Sequence, residues 1–288
     1  GVAQRVRLQR KGADCDVLTM TATPIPRSLA LTIYGATDIS AIDEMPPGRL
    51  PVDTRHFKRA KRETMYRFVR ERVAAGEQAY IVCPLIDESE TVEAAAATSL
   101  VEELRAGPLA DARIEMLHGR MSIDQKDAVM KSFKTGEIDV IVGTTVVEVG
   151  IDVPNATIMV IEEAGRFGLA QLHQLRGRVG RGGGRAYCFL VDDAKTDTAR
   201  ARIDIVKNTT DGFKIAEEDL RMRGPGEITG MRQSGYSSLR LADISSDMRL
   251  VESAREYAFR IISADPELVA PKHAAFRRVI ETARVHDT

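Results

Sequence analysis

The stretch Gln171-Leu-His-Gln-Leu-Arg-Gly-Arg-Val-Gly-Arg181 has the residue types and spacing that most directly suggest chemistry. Wound as a helix at about 100° per residue, it places Gln171, Gln174, Arg178 and Arg181 within roughly 80° of one another, beside a stripe of Leu172, Leu175 and Val179. One edge packs and the other carries guanidinium groups. Each guanidinium is a permanently charged planar fork, suited to charge developing on phosphoryl oxygens. Gly177 and Gly180 weaken a helix, so they predict a close approach to the backbone, for which a phosphate chain is a candidate. The plainer reading is a basic amphipathic helix with a solvated face.

The elements that must hold this stretch come from the rest of the chain. Its 288 residues allow one large domain or two smaller ones, and 43% apolar residues suffice for a real core. With Lys+Arg 41 against Asp+Glu 42, any nucleic-acid contact must come from a local patch. Cys15, Cys83 and Cys188 sit among apolar residues at spacings that match no metal site, as buried small hydrophobes in a reducing compartment would. The sequence has neither a long apolar run nor a signal-peptide pattern, and we expect a cytoplasmic protein.

Taken in order, Asp16 to Thr21 reads as a buried strand, Arg27 to Tyr34 as a helix and Ile39 to Ile42 as a further strand. Asp43-Glu44 at a strand end invites a magnesium site, but no phosphate loop precedes it. The Pro-Pro-Gly that follows reads as a linker. From Val52 to Val191 strands and helices alternate, which predicts a mostly parallel sheet with helices on both faces. Ligands in such sheets bind at the carboxyl ends of strands. His118-Gly119 lies there, ahead of a helix with Ser122 as its N-cap and an anion-accepting N-terminus, while His118 itself reads first as a structural residue. Thr144-Thr145, followed by Gly150 and Asp152, and the pair Glu162-Glu163 also follow strands. Beyond Asp192 the alternation stops. Lys195 to Asn208 and Phe213 to Arg223 predict a helical hairpin, then a glycine-rich loop and two more helices, Asp247 to Ala264 and His273 to Val285.

Several strings together resemble the RecG-type ATP-dependent DNA helicases of superfamily 2. They are Thr21-Ala-Thr-Pro-Ile-Pro-Arg27, Asp43-Glu-Met-Pro-Pro-Gly-Arg49, Cys83-Pro-Leu-Ile-Asp-Glu-Ser-Glu90, Val142 to Pro154, Phe167 to Arg181, and Arg223-Gly-Pro-Gly-Glu227 with Gln233-Ser-Gly235. The transcription-repair coupling factor is the nearest cousin. The resemblance implies a RecA-like α/β fold in four parts: residues 1–45 as a remnant of a first motor domain, 46–193 as the second, 194–236 as the hairpin and translocation loop, and 237–288 as a helical tail.

It also implies roles. Arg178 and Arg181 would be arginine fingers on ATP, with Gly150, Asp152 and Gln174 beside the nucleotide. Thr144, Thr145, His118 and Gly119 would meet DNA. Thr21, Thr23, Arg200, Arg202, Arg221, Arg223 and Gln233 would couple nucleotide to translocation. The expected ligands are ATP with Mg2+ and branched DNA, namely replication forks and Holliday junctions. A single-stranded DNA-binding protein is a further expected partner, and the setting would be a bacterial, nucleoid-associated monomer without a membrane. The family's Gly-x-Gly-Lys-Thr loop and Asp-Glu-x-His box do not occur, so the chain resembles a C-terminal fragment and is expected to lack ATP hydrolysis alone, with magnesium ligands in the upstream half. The competing account is a DNA-binding or partner-binding module without turnover.

Overall fold

The computed structural model describes Leu18, Met20 and residues 40–84, 90–144, 152–223 and 248–285. The strand at Asp16, the helix at Arg27, Cys15, Thr21, Thr23, Thr145, Gly150, Gln233 and the glycine-rich loop lie outside them. Residues 40–42 are described and form no strand, contrary to expectation.

Six parallel strands are ordered β1-β6-β5-β2-β4-β3. They are β1 Asp53–Phe57, β2 Gln78–Val82, β3 Ile114–Leu117, β4 Val140–Gly143, β5 Ala156–Glu162 and β6 Tyr187–Val191. All of β2 and β4 is buried, as expected of strands covered on both faces. The pleat sends Tyr80 and Val82 to one face and Ala79 and Ile81 to the other, so two cores form. Helices α1 Arg62–Ala74 and α2 Glu90–Ala106 cover the Ala79 face through Met65, Tyr66, Val69 and Leu104. Helices α3 Ile123–Lys134 and α4 Leu169–Arg176 cover the Tyr80 face through Met130, Phe133, Leu172 and Leu175. Ser122 does cap α3: its hydroxyl accepts from Gln125 N at 3.2 Å and Gln125 Oε1 accepts from Ser122 N at 2.9 Å.

The hairpin is α5 Asp197–Asn208 and α6 Gly212–Arg223. Ile203, Val206 and Ile215 sink into the Tyr80 core, so the hairpin is packed on the sheet layer as an extension of it. Asp192, just past β6, accepts from Ala194 N at 2.5 Å and from Gly165 N at 3.1 Å. Gly165 lies against α5: a Cβ there would stand 2.8 Å from Ala199 Cβ.

Helices α7 Met248–Ala264 and α8 Ala274–Val285 meet at a corner that Asp265 fastens. Its carboxylate accepts from Val269 N at 3.0 Å and Ala270 N at 2.9 Å and pairs with His273 Nδ1 at 2.7 Å. The His273 hydrogen bond, helped by the amides, holds the Asp265 carboxyl below the usual range. Among the described residues no helix is long and apolar enough to cross a membrane.

Candidate functional site

Helix α4 starts at Gly168, whose amide donates to Gln171 Oε1 at 3.0 Å, and buries Leu169, Leu172 and Leu175. It then stops at Arg176. The single helix expected through Arg181 is therefore corrected: Arg178 and Arg181 occupy a turn that Gly177 begins and Gly180 reverses with φ +75°. A left-handed residue cannot continue a right-handed helix, and only glycine takes it at no steric cost. The close approach expected at Gly180 is to protein, since a Cβ there would lie 2.8 Å from Ala186 Cβ.

The turn lies at the amino edge of the sheet, on the side of Asp152, and not at the carboxyl ends of the strands. Gly180 N donates to Ala156 O, the first residue of β5, at 3.3 Å. Helix α4 runs back against the strands, so its end returns to their amino edge, where Asp152 also precedes β5. Thr144, fully buried after β4, and His118 and Gly119, after β3, stay at the carboxyl edge. Candidate site residues thus divide between two edges of one sheet.

At the amino edge Arg181 Nη1 lies 3.6 Å from Asp152 Oδ1, and Arg181 Nε lies 3.5 Å from Gly177 O. Arg49 reaches in from the linker, its Nη2 donating to Gly177 O at 2.8 Å and to Val179 O at 3.3 Å. Burial lowers the Arg49 pKa and the neighbouring Arg181 lowers it further, while Asp152 acts against both. Beneath them burial pushes the Tyr80 phenol up to about 12, against the opposing pull of Arg178 and Arg181. Among the described residues Arg49 and Arg181 therefore both lie in the field of Asp152. An open cleft of about 530 Å³, lined by Pro46, Pro47, Gly48, Arg49, Arg181, Gly182 and Gly183, adjoins them. Planar cations such as Arg49 and Arg181 at a solvent-reached cleft suit an oxyanion with several acceptor oxygens, such as a phosphate chain. Gln174 is half-buried on α4, one turn before Arg178.

Arg200 pairs with Asp197 at 3.0 Å and Arg221 with Glu218 at 3.7 Å, each within its own helix. Arg202 is half-buried on α5, and the Arg223 side chain lies outside the described residues. The polar link from α4 to the hairpin runs from Arg176, which is buried. Its Nη1 donates to Val206 O at 2.7 Å and Thr209 O at 2.8 Å, and its Nη2 lies 3.0 Å from His173 Nδ1. Neither Arg49 nor Arg176 was singled out by sequence reasoning. The one available signal was that Arg49 closes the Pro-Pro-Gly-Arg string.

Glu162 and Glu163 are occupied by protein partners. Tyr66 Oη donates to Glu162 Oε1 at 2.6 Å, Arg62 Nε donates to the same oxygen at 2.8 Å, and Arg59 Nη2 donates to Glu163 Oε1 at 2.7 Å. Among the described residues no group of three or more His, Cys, Asp or Glu could hold a metal ion. Cys83 and Cys188 are buried, and burial pushes the Cys188 thiol up to about 12.

A parallel sheet covered on both faces, with an arginine-bearing turn after its fifth strand, defines the second motor domain of a RecA-like helicase, and residues 60–183 match the family "Helicase conserved C-terminal domain". Residues 209–286 match "ATP-dependent DNA helicase RecG, domain 3, C-terminal". The chain belongs to the RecG family of ATP-dependent DNA helicases. It is 49% identical over 265 residues to ATP-dependent DNA helicase RecG of Streptococcus pneumoniae, covering 92% of this chain and 40% of that protein. It is 51% identical over 256 residues to the Thermotoga maritima RecG, covering 89% and 33%. The solved structure of RecG bound to a three-way DNA junction is similar with a TM-score of 0.65 and 46% identity, covering 84% of this chain and 32% of that one. The chain thus spans two fifths or less of the length of these relatives.

Proposed function

We propose that this chain is the second motor half of an ATP-dependent DNA translocase that regresses stalled replication forks and branch-migrates Holliday junctions. The observation that supports the reading best is the Arg181 to Asp152 pair, 3.6 Å apart, beside a cleft lined by the guanidinium groups of Arg49 and Arg181. Arg178 and Arg181 would meet the triphosphate, with Gly150, Asp152 and Gln174 beside it. ATP supplies the phosphoryl group whose developing charge the arginines stabilise. The donor set fits those oxygens, whereas magnesium ligands would come from an upstream motor domain. Thr144, Thr145, His118 and Gly119, at or beyond the ends of β3 and β4, would follow the DNA backbone. Because a DNA junction is what the similar RecG structure holds, branched DNA is the substrate we assign here. A single-stranded DNA-binding protein would be a partner, and the working form a bacterial cytoplasmic monomer at the nucleoid.

In the same reading residues 1–45 complete the first motor domain, 46–193 form the second, 194–236 drive translocation and 237–288 make the tail. An arginine finger is worth roughly 10³ to 10⁵ in rate, but only on a phosphate that something else holds, so the isolated chain would not turn over ATP. The test is Arg181→Ala in the full-length protein. We expect ATP turnover to collapse by about 10³ or more while affinity for a DNA junction stays near normal. Near-normal turnover would remove the finger from Arg181.

A further inference from the structure

We propose that Arg49 is a positioning residue that fixes the turn presenting Arg178 and Arg181 to the linker entering the sheet. The inference rests on reading those two arginines as triphosphate ligands. The last carbonyls of a helix lack partners within it, and a cation near them is favourable. Here α4 ends in a turn with glycine at 177, 180, 182 and 183, two of them left-handed, with φ +75° at Gly180 and +77° at Gly183. Val179 is buried in the Tyr80 core, but the glycines of this turn bring no side chain to hold its shape. Arg49 supplies the clamp from 128 residues away in sequence, through Gly177 O, with Val179 O as a second acceptor.

Arg49 is itself held rigidly. Its amide donates to Pro46 O at 3.2 Å, closing a tight turn with Pro47 and Gly48 at its centre, and Gly48 has φ +79°. Proline followed by a left-handed glycine is the type II pattern, which leaves little freedom between linker and clamp. The arrangement does not favour stability. Arg49 stands beside the like charge of Arg181, and its Nε is buried without a partner among the described residues. An apolar side chain would avoid both costs. What the guanidinium achieves is geometric: a shift of the Pro-Pro-Gly segment carries the arginine turn with it.

The experiment compares Arg49→Met, Arg49→Lys, Arg181→Ala and the Arg49→Met/Arg181→Ala double variant in the full-length protein. A misplaced group costs roughly 10- to 100-fold in rate, so Arg49→Met should lower kcat by about that factor with KM for ATP little changed. Arg49→Lys should recover part of the loss. The double variant should lose less than the product of the two single losses, because with Arg181 gone the clamp has only Arg178 left to position. Multiplied losses in the double variant, or a raised KM with kcat intact, would overturn the proposal and leave the finger reading standing. If instead Arg181→Ala turns over normally, the finger reading falls, and the clamp is decided on this chain alone. There Arg49→Met should move the carbonyl carbon resonances of Gly177 and Val179, and unmoved resonances refute it.

Discussion

Arg181 and Asp152 pair at 3.6 Å although 29 positions separate them, one on the turn after α4 and the other ahead of β5. Asp152 is 59% exposed and Arg181 33% exposed, so the pair adds little to stability; exposed ion pairs contribute about 0 to 1 kcal/mol. Its effect is on where the guanidinium rests. We expect Asp152→Asn to leave the urea midpoint of this chain almost unchanged, while lowering ATP turnover in the full-length protein. A large stability loss with normal turnover would reverse that assignment.

Arg176 is the opposite case. Its buried guanidinium satisfies two carbonyls at the end of α5, and removing it leaves the buried Val206 O and the part-buried Thr209 O without that donor. Arg176→Met should cost roughly 2 to 4 kcal/mol in urea unfolding. Hydrogen exchange should then quicken across α5 and α6 before it does in the sheet. Uniform loosening would mean that the hairpin does not depend on this contact.

His173 must stay neutral to accept from Arg176 at Nδ1, and burial first, then Arg176, depress its pKa below 6.5. The unfolded chain therefore binds the proton more readily, and the native state loses stability as pH falls through 6.5 toward the lower folded value. Above 6.5 this contribution is fully present. Urea midpoints of wild type and His173→Gln on either side of pH 6.5 check the sign, since the variant should show the shallower acid loss.

Gly180 combines a left-handed backbone with a neighbour 2.8 Å from where its Cβ would stand. Gly180→Ala should cost roughly 1 to 3 kcal/mol and pull the arginine turn away from Ala186. Gly184, which has open space around it, serves as the control: Gly184→Ala should have a much smaller effect on thermal unfolding.

The alternation of strands and helices was readable because the inner strands β2, β4, β5 and β6 are largely apolar runs, and each helix carries its own apolar stripe. Strand order was not readable, since parallel strands are joined by crossovers that leave no local mark of who neighbours whom. The end of α4 was missed because Leu172, Leu175 and Val179 keep helical spacing through a turn that only the φ of Gly180 reveals. Arg49 and Arg176 escaped notice for a further reason. Both bind main-chain carbonyls, which every residue has, so nothing at the far end of the contact is written in side chains.

Strand β1 pairs with β6 alone, at one margin of the sheet. The linker joins β1 at its start, whereas the hairpin departs from the finish of β6, so a tug between those two attachments runs lengthwise along the paired strands. That loads the rungs between Asp53 and Val191 side by side in shear, so no single rung has to give way first. A ribbon so loaded resists far more force than one peeled open from an end, which makes this margin a tie rod between the two places where the chain leaves its sheet.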